Sequence, residues 1–546
     1  MTGPVLPAWS RSARWLLLVC ALALAAACAT LPPVPASQAA SSAIADFEAS
    51  PLAAVAAAQT PADGRSGFLL QPYGPNALAT RLVLARRATR SLDVQYYLLR
   101  ADHTGLALMR ALRDAAARGV RVRLLVDDFY TAGEDATLLA LAQLPQVEVR
   151  LFNPFPAARE QTWTRFLAAA FDFGRVNRRM HNKLFIADNV AAVAGGRNMA
   201  DEYVMNAEGA NFIDMDVFAT GPVVRDLSDA FDHYWNSGVV YDVRSVARSA
   251  STPAALLDAF ERRSAAARPP QAVEIPPDGR IVRPDTGEPM QLSADMVAMM
   301  NLPFALERGT LQPLLAARAQ VLFDPLSKTL GWNEQQDSLD GTVTQAVVRW
   351  MHQARKRIKI VSPYFIPSDA SVQALAYARR SGVDVVLVTN SLASTDEPFV
   401  YFAYWSRLKA LLRAGVQVLE LSPSLSVERH RMGLFGHRQG ALHMKNAVVD
   451  NREVFLGSLN LDPRSAKLNT ELGLIIHSEE MAAQLNAFAD DGSWYRLRLA
   501  AETDEIEWLR AEAAGGETVF RVPPETTGWQ RLKLQLLGPF VPEKVL

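Results

Sequence analysis

The sequence predicts an α/β fold built from two similar domains, each with a mixed β-sheet. Three observations support this prediction. One pattern of polar and glycine residues occurs twice with identical spacing, and in both halves apolar strand segments alternate with helical ones. The chain has 546 residues, 49% of them apolar, which is enough to bury the cores of two such domains.

The N-terminal segment, residues 1–27, is typical of an export signal. Arg11 and Arg14 precede an unbroken apolar run from Trp15 to Cys28, which is the length of a signal peptide and short for a membrane span. Small residues before Cys28 resemble a bacterial lipoprotein box. The resemblance implies cleavage before Cys28, its acylation, and anchoring at the periplasmic face of the inner or outer membrane. An uncleaved anchor or an ordinary secretory signal are the alternatives.

Residues 28–63 are rich in Ala, Pro and Ser and predict a flexible tether. The chain has two cysteines, Cys20 and Cys28, and both lie within the first 28 residues. The folded part that follows therefore has no thiol and no disulfide. The net charge of −1 argues against a large nucleic-acid footprint.

The first predicted domain covers residues 64–244. Phe68 to Leu70 predicts a strand, Ala77 to Thr89 a helix, Ser91 to Tyr97 a strand, and Gly105 to Arg118 a helix whose apolar residues recur at helical spacing. Gly119 ends that helix, and a buried strand follows from Val120. Another strand begins at Val147.

Residues 245–315 predict an insertion packed on the surface, because Ala, Arg and Pro dominate and periodicity is poor. The second predicted domain covers residues 316–546 and repeats the first. Gln320 to Phe323 corresponds to the first strand, Ile358 begins the next, Ser371 to Arg380 is helical, and strands follow from Val383 and Val416.

The duplicated pattern lies in the later part of each domain. A His is followed after two residues by Lys and after seven by Asp, and then come a Gly pair or Gly-Ser and an Asn. The first copy comprises His181, Lys183, Asp188, Gly195, Gly196 and Asn198; the second comprises His443, Lys445, Asp450, Gly457, Ser458 and Asn460.

Each copy predicts a β-hairpin, because two apolar runs flank an Asp-Asn turn. His and Lys, two residues apart, point to one face of the strand, whereas the Asp points to the other. We therefore expect Asp188 and Asp450 to be structural. The fold-back places Asn198 and Asn460 beside the His and Lys of their own copy. Gly195, Gly196 and Gly457 are expected to let an anionic group approach the backbone.

These side chains suit a phosphoryl group. Lys supplies positive charge, Asn supplies neutral donors, and His can act as a nucleophile or a general acid. Two facing copies would provide one His to attack phosphorus and one to protonate the leaving oxygen.

With these residues the chain resembles the phospholipase D superfamily, whose signature is the same duplicated pattern. The resemblance implies two α/β/α sandwich domains with one active site at their interface, a phosphohistidine intermediate, and neither metal nor cofactor. It makes His181 the nucleophile, His443 the general acid and base, and Lys183, Lys445, Asn198 and Asn460 the phosphate-binding residues. It also implies a carboxylate for each His, assigned as Glu471 for His443 and Asp214 for His181, with Asp216 as the alternative to Asp214.

The sequence around the motifs is most similar to bacterial cardiolipin synthases of the C type. This similarity implies phosphatidyl transfer that makes cardiolipin from phosphatidylglycerol and a second phospholipid at a membrane surface. Hydrolysis of phospholipids to phosphatidic acid, a nuclease and a non-catalytic membrane scaffold are the alternatives. The oligomeric state stays open.

Two stretches just before the histidines of the motifs bear on the substrate. They are Trp163 to Arg179 and Arg429 to Arg438. The first combines Trp, several Phe and a run of Arg, and the second combines Arg with His. An electropositive, partly aromatic rim would suit an anionic lipid headgroup. An amphipathic helix with a solvated Arg face is the alternative.

Overall fold

The computed structural model of the chain describes residues 31, 33–34, 38–47, 50–282, 287–330, 339–424, 440–489, 492–512 and 515–537. The predicted signal segment, Cys28 and the stretch from Arg429 to Arg438 lie outside these residues. No helix in the described ranges is both long and apolar enough to cross a membrane.

The first half forms a mixed sheet whose parallel part follows the predicted strands. Three parallel strands at its centre are flanked by antiparallel ones. In spatial order the strands are Ser66–Gln71, Asp216–Thr220, Ala191–Gly195, Leu184–Ala187, Ser91–Tyr96, Arg121–Asp127, Val147–Phe152 and Val240–Asp242.

The second half repeats this order strand for strand, with three C-terminal strands in the place of the last one. The strands are Leu315–Phe323, Leu472–His477, Glu453–Gly457, Asn446–Val449, Arg357–Val361, Asp384–Asn390, Gln417–Leu421, Trp494–Leu499, Ile506–Ala511 and Glu517–Phe520. The prediction of two similar α/β domains with mixed sheets is therefore confirmed.

The two sheets join into one. Leu315–Phe323 pairs antiparallel with Ser66–Gln71 on one side and with Leu472–His477 on the other, so the described residues contain a continuous 18-stranded sheet. Because Ser66–Gln71 and Leu315–Phe323 occupy equivalent places in the two halves, their antiparallel pairing relates the halves by an approximate twofold rotation. This arrangement brings the two copies of the motif toward each other.

Helices cover the sheet, and most residues of its central strands are buried, which requires cover on both faces. The helices of the first half are Pro51–Gln59, Gly74–Arg87, His103–Ala117, Asp135–Leu141, Thr162–Ala168, Phe173–Val176, Val223–Trp235 and Val243–Val246. Those of the second half are Ser327–Leu330, Val343–Met351, Asp369–Arg380, Pro398–Arg413, Pro463–Lys467, Glu479–Ala489 and Gly528–Leu537.

The predicted flexible tether is wrong for residues 38–47 and 50–59, which pack on the first half. The Gln38 side chain donates to the Val240 carbonyl at 2.9 Å. Ser50 caps the helix Pro51–Gln59, and Leu52 of this helix is buried in the core. The Ala-rich composition that suggested a linker instead supplies a helix with small side chains, because Ala has a high helix propensity.

Part of the predicted surface insertion is also in the core. It forms the helices Pro253–Ala265 and Ala294–Arg308 and the hairpin Arg280–Val282 with Pro289–Gln291. Met299, Leu302 and Leu306 on the second helix are buried against the first half. Its apolar content therefore extends the hydrophobic core.

The two hairpin turns have the predicted position and chemistry. Asp188, Asn189, Asp450 and Asn451 all have positive φ angles between 52° and 57°, the conformation of a tight hairpin turn that Asn and Asp tolerate. The Asp188 carboxylate accepts hydrogen bonds from the backbone N–H groups of Thr89, Arg90 and Ser91. Asp450 makes the same three bonds to residues 355–357.

Asp188→Ala should therefore destabilise the protein more than Asp450→Ala. Asp188 is fully buried, so its loss leaves the buried N–H of Ser91 and the partly buried N–H groups of Thr89 and Arg90 unpaired at a cost of about 3 kcal/mol, whereas water can replace the half-buried Asp450 for about 1 kcal/mol. The midpoints of thermal unfolding of the two variants measure the difference. Equal shifts would contradict the assignment of a buried capping role to Asp188.

Candidate active site

The two copies of the motif meet through backbone hydrogen bonds that cross between the halves. His181 N–H donates to the Thr470 carbonyl at 2.8 Å, and Thr470 N–H donates to the Arg179 carbonyl at 2.8 Å. On the other side, Gly440–Leu442 pairs in parallel with Asn211–Ile213, and His443 N–H donates to the Ile213 carbonyl at 2.8 Å. Each His thus lies next to the residue that precedes a carboxylate of the other half.

The carboxylates consequently serve the histidines of the opposite copies. His181 Nδ1 lies 2.9 Å from Glu471 Oε2, and His443 Nδ1 lies 2.7 Å from Asp214 Oδ2. All four side chains are nearly fully buried. The predicted pairing of Glu471 with His443 and of Asp214 with His181 is therefore wrong, because the cross-half strand pairing, which leaves no local sequence signal, decides which carboxylate each His meets.

Asp216, the alternative to Asp214, has a different role. Its carboxylate binds Arg81 at 3.0 Å and Arg197 at 2.8 Å, all three side chains being buried. Asp216 is therefore neutralised by two guanidinium groups inside the first half, and its carboxylate pairs with them instead of with a histidine.

The motif glycines make room for protein atoms, contrary to the prediction that they admit an anionic ligand. A Cβ on Gly196 would lie 2.3 Å from Asp214 Oδ1, and a Cβ on Gly195 would lie 2.4 Å from Asp216 Oδ1. Gly457 faces the Leu472 carbonyl and Gly473 of the neighbouring strand in the same way. The small residues allow the carboxylate-bearing strand to approach closely.

Ser458, which stands where the first copy has Gly196, holds the longer carboxylate of the second half. Its hydroxyl donates to Glu471 Oε2, and Ser465 Oγ donates to Glu471 Oε1 at 2.7 Å. The shorter Asp214 accepts from the backbone N–H of Met215 at 2.8 Å. The Gly-to-Ser difference therefore follows from the Asp-to-Glu difference, a compensation that the two copies could have revealed if compared together.

The lysines and asparagines of the motif lie in the same buried cluster. Lys183 Nζ donates to the His181 carbonyl at 2.6 Å, and Lys445 Nζ lies 3.0 Å from His443 Nδ1. Asn198 Oδ1 accepts from the Leu98 N–H at 3.3 Å. Asn460 Oδ1 is buried without a hydrogen-bond partner in the described part of the chain.

Aromatic rings that the sequence reasoning missed surround both histidines. Tyr97 packs edge-on against His181 with ring centroids 4.9 Å apart, and Lys183 Nζ lies 5.2 Å from the Tyr97 ring centre. Tyr203 and Phe212 lie 5.0 and 4.9 Å from His443. Tyr97 comes directly after the strand Ser91–Tyr96, and the polar site lies at the ends of these strands. This position was the one local signal that Tyr97 belongs to the site.

Comparison with known proteins shows which family the chain belongs to. The family model described as "Cardiolipin synthase, PLD-like domain" matches residues 82–235 and 347–491, one match in each half and together more than half of the chain. The chain belongs to the phospholipase D superfamily. Because its relatives include cardiolipin synthases, the protein is a phosphatidyltransferase of that superfamily.

Several relatives match most of the chain. Cardiolipin synthase C of Escherichia coli (strain K12) is 37% identical over 481 residues, which cover 87% of this chain and 94% of that protein. Cardiolipin synthase A of Pseudomonas fluorescens is 27% identical over 80% of this chain and 71% of that protein. The phosphatidylserine synthase structure from Haemophilus influenzae Rd KW20 shares the fold, with a TM-score of 0.54, 14% identity, and coverage of 89% of this chain and 95% of that chain.

The site of this phospholipase D superfamily member is electrostatically prepared for an anion. Burial lowers the pKa of His181 and of His443 well below the ordinary imidazole value, and Lys183 and Lys445 lower both further. Burial also lowers the pKa of Lys183 well below its usual range and that of Lys445 to about 8. A bound phosphate would stabilise the protonated form of every one of these groups.

The rate should therefore depend on pH through Lys445. Its ammonium group is charged below a pKa of about 8, so kcat/KM, which reports the free enzyme, should fall as pH rises above about 8. A pH profile of kcat/KM that stays flat to pH 10 would contradict this role of Lys445.

The structure contradicts the predicted electropositive rim for three of the four arginines between Trp163 and Arg179, while the fourth, Arg178, is half-buried. Arg179 is fully buried and donates to Asp127 and to the Asn153 carbonyl, and Arg165 is fully buried and donates to the Asp128 carbonyl. Arg175 pairs with Asp172. The guanidinium groups tie the loops of the first half together, because buried loop carbonyls and carboxylates need donors.

No group of three or more His, Cys, Asp or Glu side chains that could hold a metal ion occurs in the described ranges.

Proposed function

We propose that this protein transfers the phosphatidyl group of one phospholipid to the hydroxyl of phosphatidylglycerol and so makes cardiolipin. The observation that carries the proposal is the pair of crossed His–carboxylate contacts beside two lysines in one buried cluster. The 37% identity to cardiolipin synthase C over most of both chains supports this choice of substrate.

In the first step His181 is the nucleophile. With Nδ1–H donating to Glu471, the lone pair of Nε2 attacks phosphorus, and the bond from phosphorus to the headgroup oxygen breaks. His443, protonated when the anionic phosphate is bound, gives its proton to the leaving alcohol. Lys183 and Lys445 offset the charge on the phosphoryl oxygens.

In the second step His443 acts as the base. It takes the proton from the hydroxyl of phosphatidylglycerol, whose oxygen attacks the phosphorus bound to His181. The bond from phosphorus to nitrogen breaks, cardiolipin leaves, and His181 is neutral again. Asp214 stabilises the imidazolium of His443 in each half-reaction because its carboxylate lies against Nδ1.

Lipid mass spectrometry tests the proposal directly. The purified protein is incubated with vesicles of phosphatidylglycerol, alone or mixed with phosphatidylethanolamine, and cardiolipin is the expected main product. His477→Ala is a matched control that should keep the activity, since the His477 side chain is exposed at a strand end and hydrogen-bonds only to Glu453 among the described residues.

Other products would favour other reactions. Phosphatidic acid as the main product would mean that water is the acceptor and that the protein is a hydrolytic phospholipase D. The absence of any lipid product, together with cleavage of DNA in a salt-dependent manner, would favour a nuclease. Either result would overturn the cardiolipin synthase proposal.

We also propose that the protein works outside the cytoplasm, held to a membrane by a lipid on Cys28. The apolar run that ends in small residues before Cys28 supports this location. A membrane-anchored enzyme would meet its lipid substrates without a soluble carrier.

Cys28→Ala should release the protein from the membrane fraction of cells. The residue would lose its acyl chains, which supply about 0.8 kcal/mol of membrane affinity for each buried CH₂ group. Cell fractionation measures the effect, with Ala36→Ser, which lies beyond the apolar run, as the control that should stay in the membrane fraction. An unchanged membrane fraction for Cys28→Ala would favour an uncleaved anchor.

A further inference from the structure

We propose that an exposed apolar surface formed by Trp163, Leu167 and Phe173 docks the active-site mouth onto the lipid bilayer. This surface, which we call the docking surface, deepens the proposed function because it rests on phospholipids being the substrates. Its occupant is the interfacial region of a bilayer, entered by these apolar side chains.

The docking surface is exposed to an unusual degree for side chains of this kind. Trp163 is 66%, Leu167 60% and Phe173 52% exposed. Trp163 and Leu167 lie four residues apart on the helix Thr162–Ala168, so they share one face. Phe173 begins the next helix, Phe173–Val176, eight residues before His181. Neighbouring exposed apolar side chains commonly mark an interaction site.

A continuous set of ring contacts connects the docking surface to the catalytic histidine. Phe166, on the inner side of the same helix, lies 5.5 Å from Phe129, which lies 5.0 Å from Tyr130. Tyr130 lies 5.3 Å from Tyr97, and Tyr97 lies 4.9 Å from His181. The docking surface is therefore the outer side of the same structure that packs against His181.

The chemistry of the docking surface favours a bilayer over a charged partner. Trp and Phe are suited to the boundary between headgroups and acyl chains. Arg165, Arg175 and Arg179 of this segment are paired with protein groups, as described above, and the net charge of the chain is −1, so electrostatic attraction to an anionic surface is weak. Insertion should therefore depend little on salt or on the headgroup charge.

A second exposed apolar face offers a matched control. On the helix Gly528–Leu537, Trp529 is 63%, Leu532 41% and Leu536 60% exposed, at a spacing that puts them on one side. The ring contacts found among the described residues do not connect this helix to either histidine. Its apolar side chains are similar in size and exposure to those of the docking surface.

The first experiment compares rates on two forms of phosphatidylglycerol, long-chain vesicles and short-chain dihexanoyl lipid below its micelle concentration. The triple variant W163S/L167S/F173S should lose about tenfold or more of the vesicle rate and keep the rate on the monomeric lipid. The variant W529S/L532S/L536S should keep both rates. If W163S/L167S/F173S loses both rates, or if it keeps the vesicle rate, the proposed role of the docking surface is wrong.

The second experiment does not need catalysis. In the full chain with Cys20 and Cys28 replaced by Ser, Trp163→Cys or Trp529→Cys carries an environment-sensitive fluorophore, and vesicles of phosphatidylcholine or of phosphatidylglycerol are added. The expected result is a blue shift at position 163 with both lipids, at low and high salt, and none at position 529. A shift confined to position 529, or one at 163 that follows protein concentration without vesicles, would assign docking to the other helix or to a second copy.

The two experiments separate the two proposals. If the unmodified protein makes no lipid product from either substrate while the label at position 163 still shifts, the proposed reaction fails and the docking surface stands. If cardiolipin forms but the label stays in water, the reaction stands and the docking surface is wrong.

Discussion

His181→Ala and His443→Ala should each reduce cardiolipin formation by about 10⁴-fold or more, because each removes one side of a two-step transfer. The two variants should differ with an activated donor. Phosphatidyl-p-nitrophenol needs no proton for its leaving group, so His443→Ala should still release one equivalent of p-nitrophenol and stop at phosphohistidine. His181→Ala should release none.

This difference assigns the two roles. Mass spectrometry of the stalled His443→Ala protein should find the phosphatidyl group on His181. A burst from His181→Ala with none from His443→Ala would reverse the roles of the two histidines, and full activity in either variant would exclude a two-histidine mechanism. Circular dichroism and the His477→Ala control show whether a loss comes from unfolding.

Glu471→Gln should reduce the rate by about 10²- to 10⁴-fold by acting on His181, and Asp214→Asn should do so by acting on His443. The neutral amide cannot stabilise an imidazolium and removes the preference for one tautomer. Because Ser458 and Ser465 also bind Glu471, the amide can stay in place through its own hydrogen bonds.

Nitrogen-15 NMR of histidine-labelled protein tests the crossed pairing directly. His181→Ala and His443→Ala identify the two signals by their loss. Glu471→Gln should then shift the ring nitrogens of His181 and leave those of His443, and Asp214→Asn should do the opposite. The reverse pattern would mean that each carboxylate serves its own half, as the sequence alone suggested.

Most of the fold could be predicted from local patterns. The strands near Ser91, Arg121 and Asp384 contain apolar residues at alternating or consecutive positions and are bounded by Gly or by charged turns, and the structure confirms them. The helix Pro51–Gln59 was missed because Ala, Pro and Ser also occur in linkers, and only its packing through Leu52 and Ser50 separates the two cases.

The residues of the candidate site could be predicted from the sequence, whereas the contacts between them could not. The identical spacing of the two copies was enough to name His181, Lys183, His443 and Lys445, because strand alternation and the Asp-Asn turn act over a few residues. Tyr97 and Tyr203 carry no comparable local signal, since a tyrosine after a strand or helix end is common in loops.

The sequence by itself determined the duplicated hairpins, their turns and the side chains that each presents, because these depend on short-range geometry. The tertiary structure alone decided that Glu471 meets His181 and Asp214 meets His443, and that Arg165 and Arg179 point inward. Both outcomes depend on hydrogen bonds between segments more than 200 residues apart or on buried loop carbonyls, and neither leaves a periodic trace in the chain.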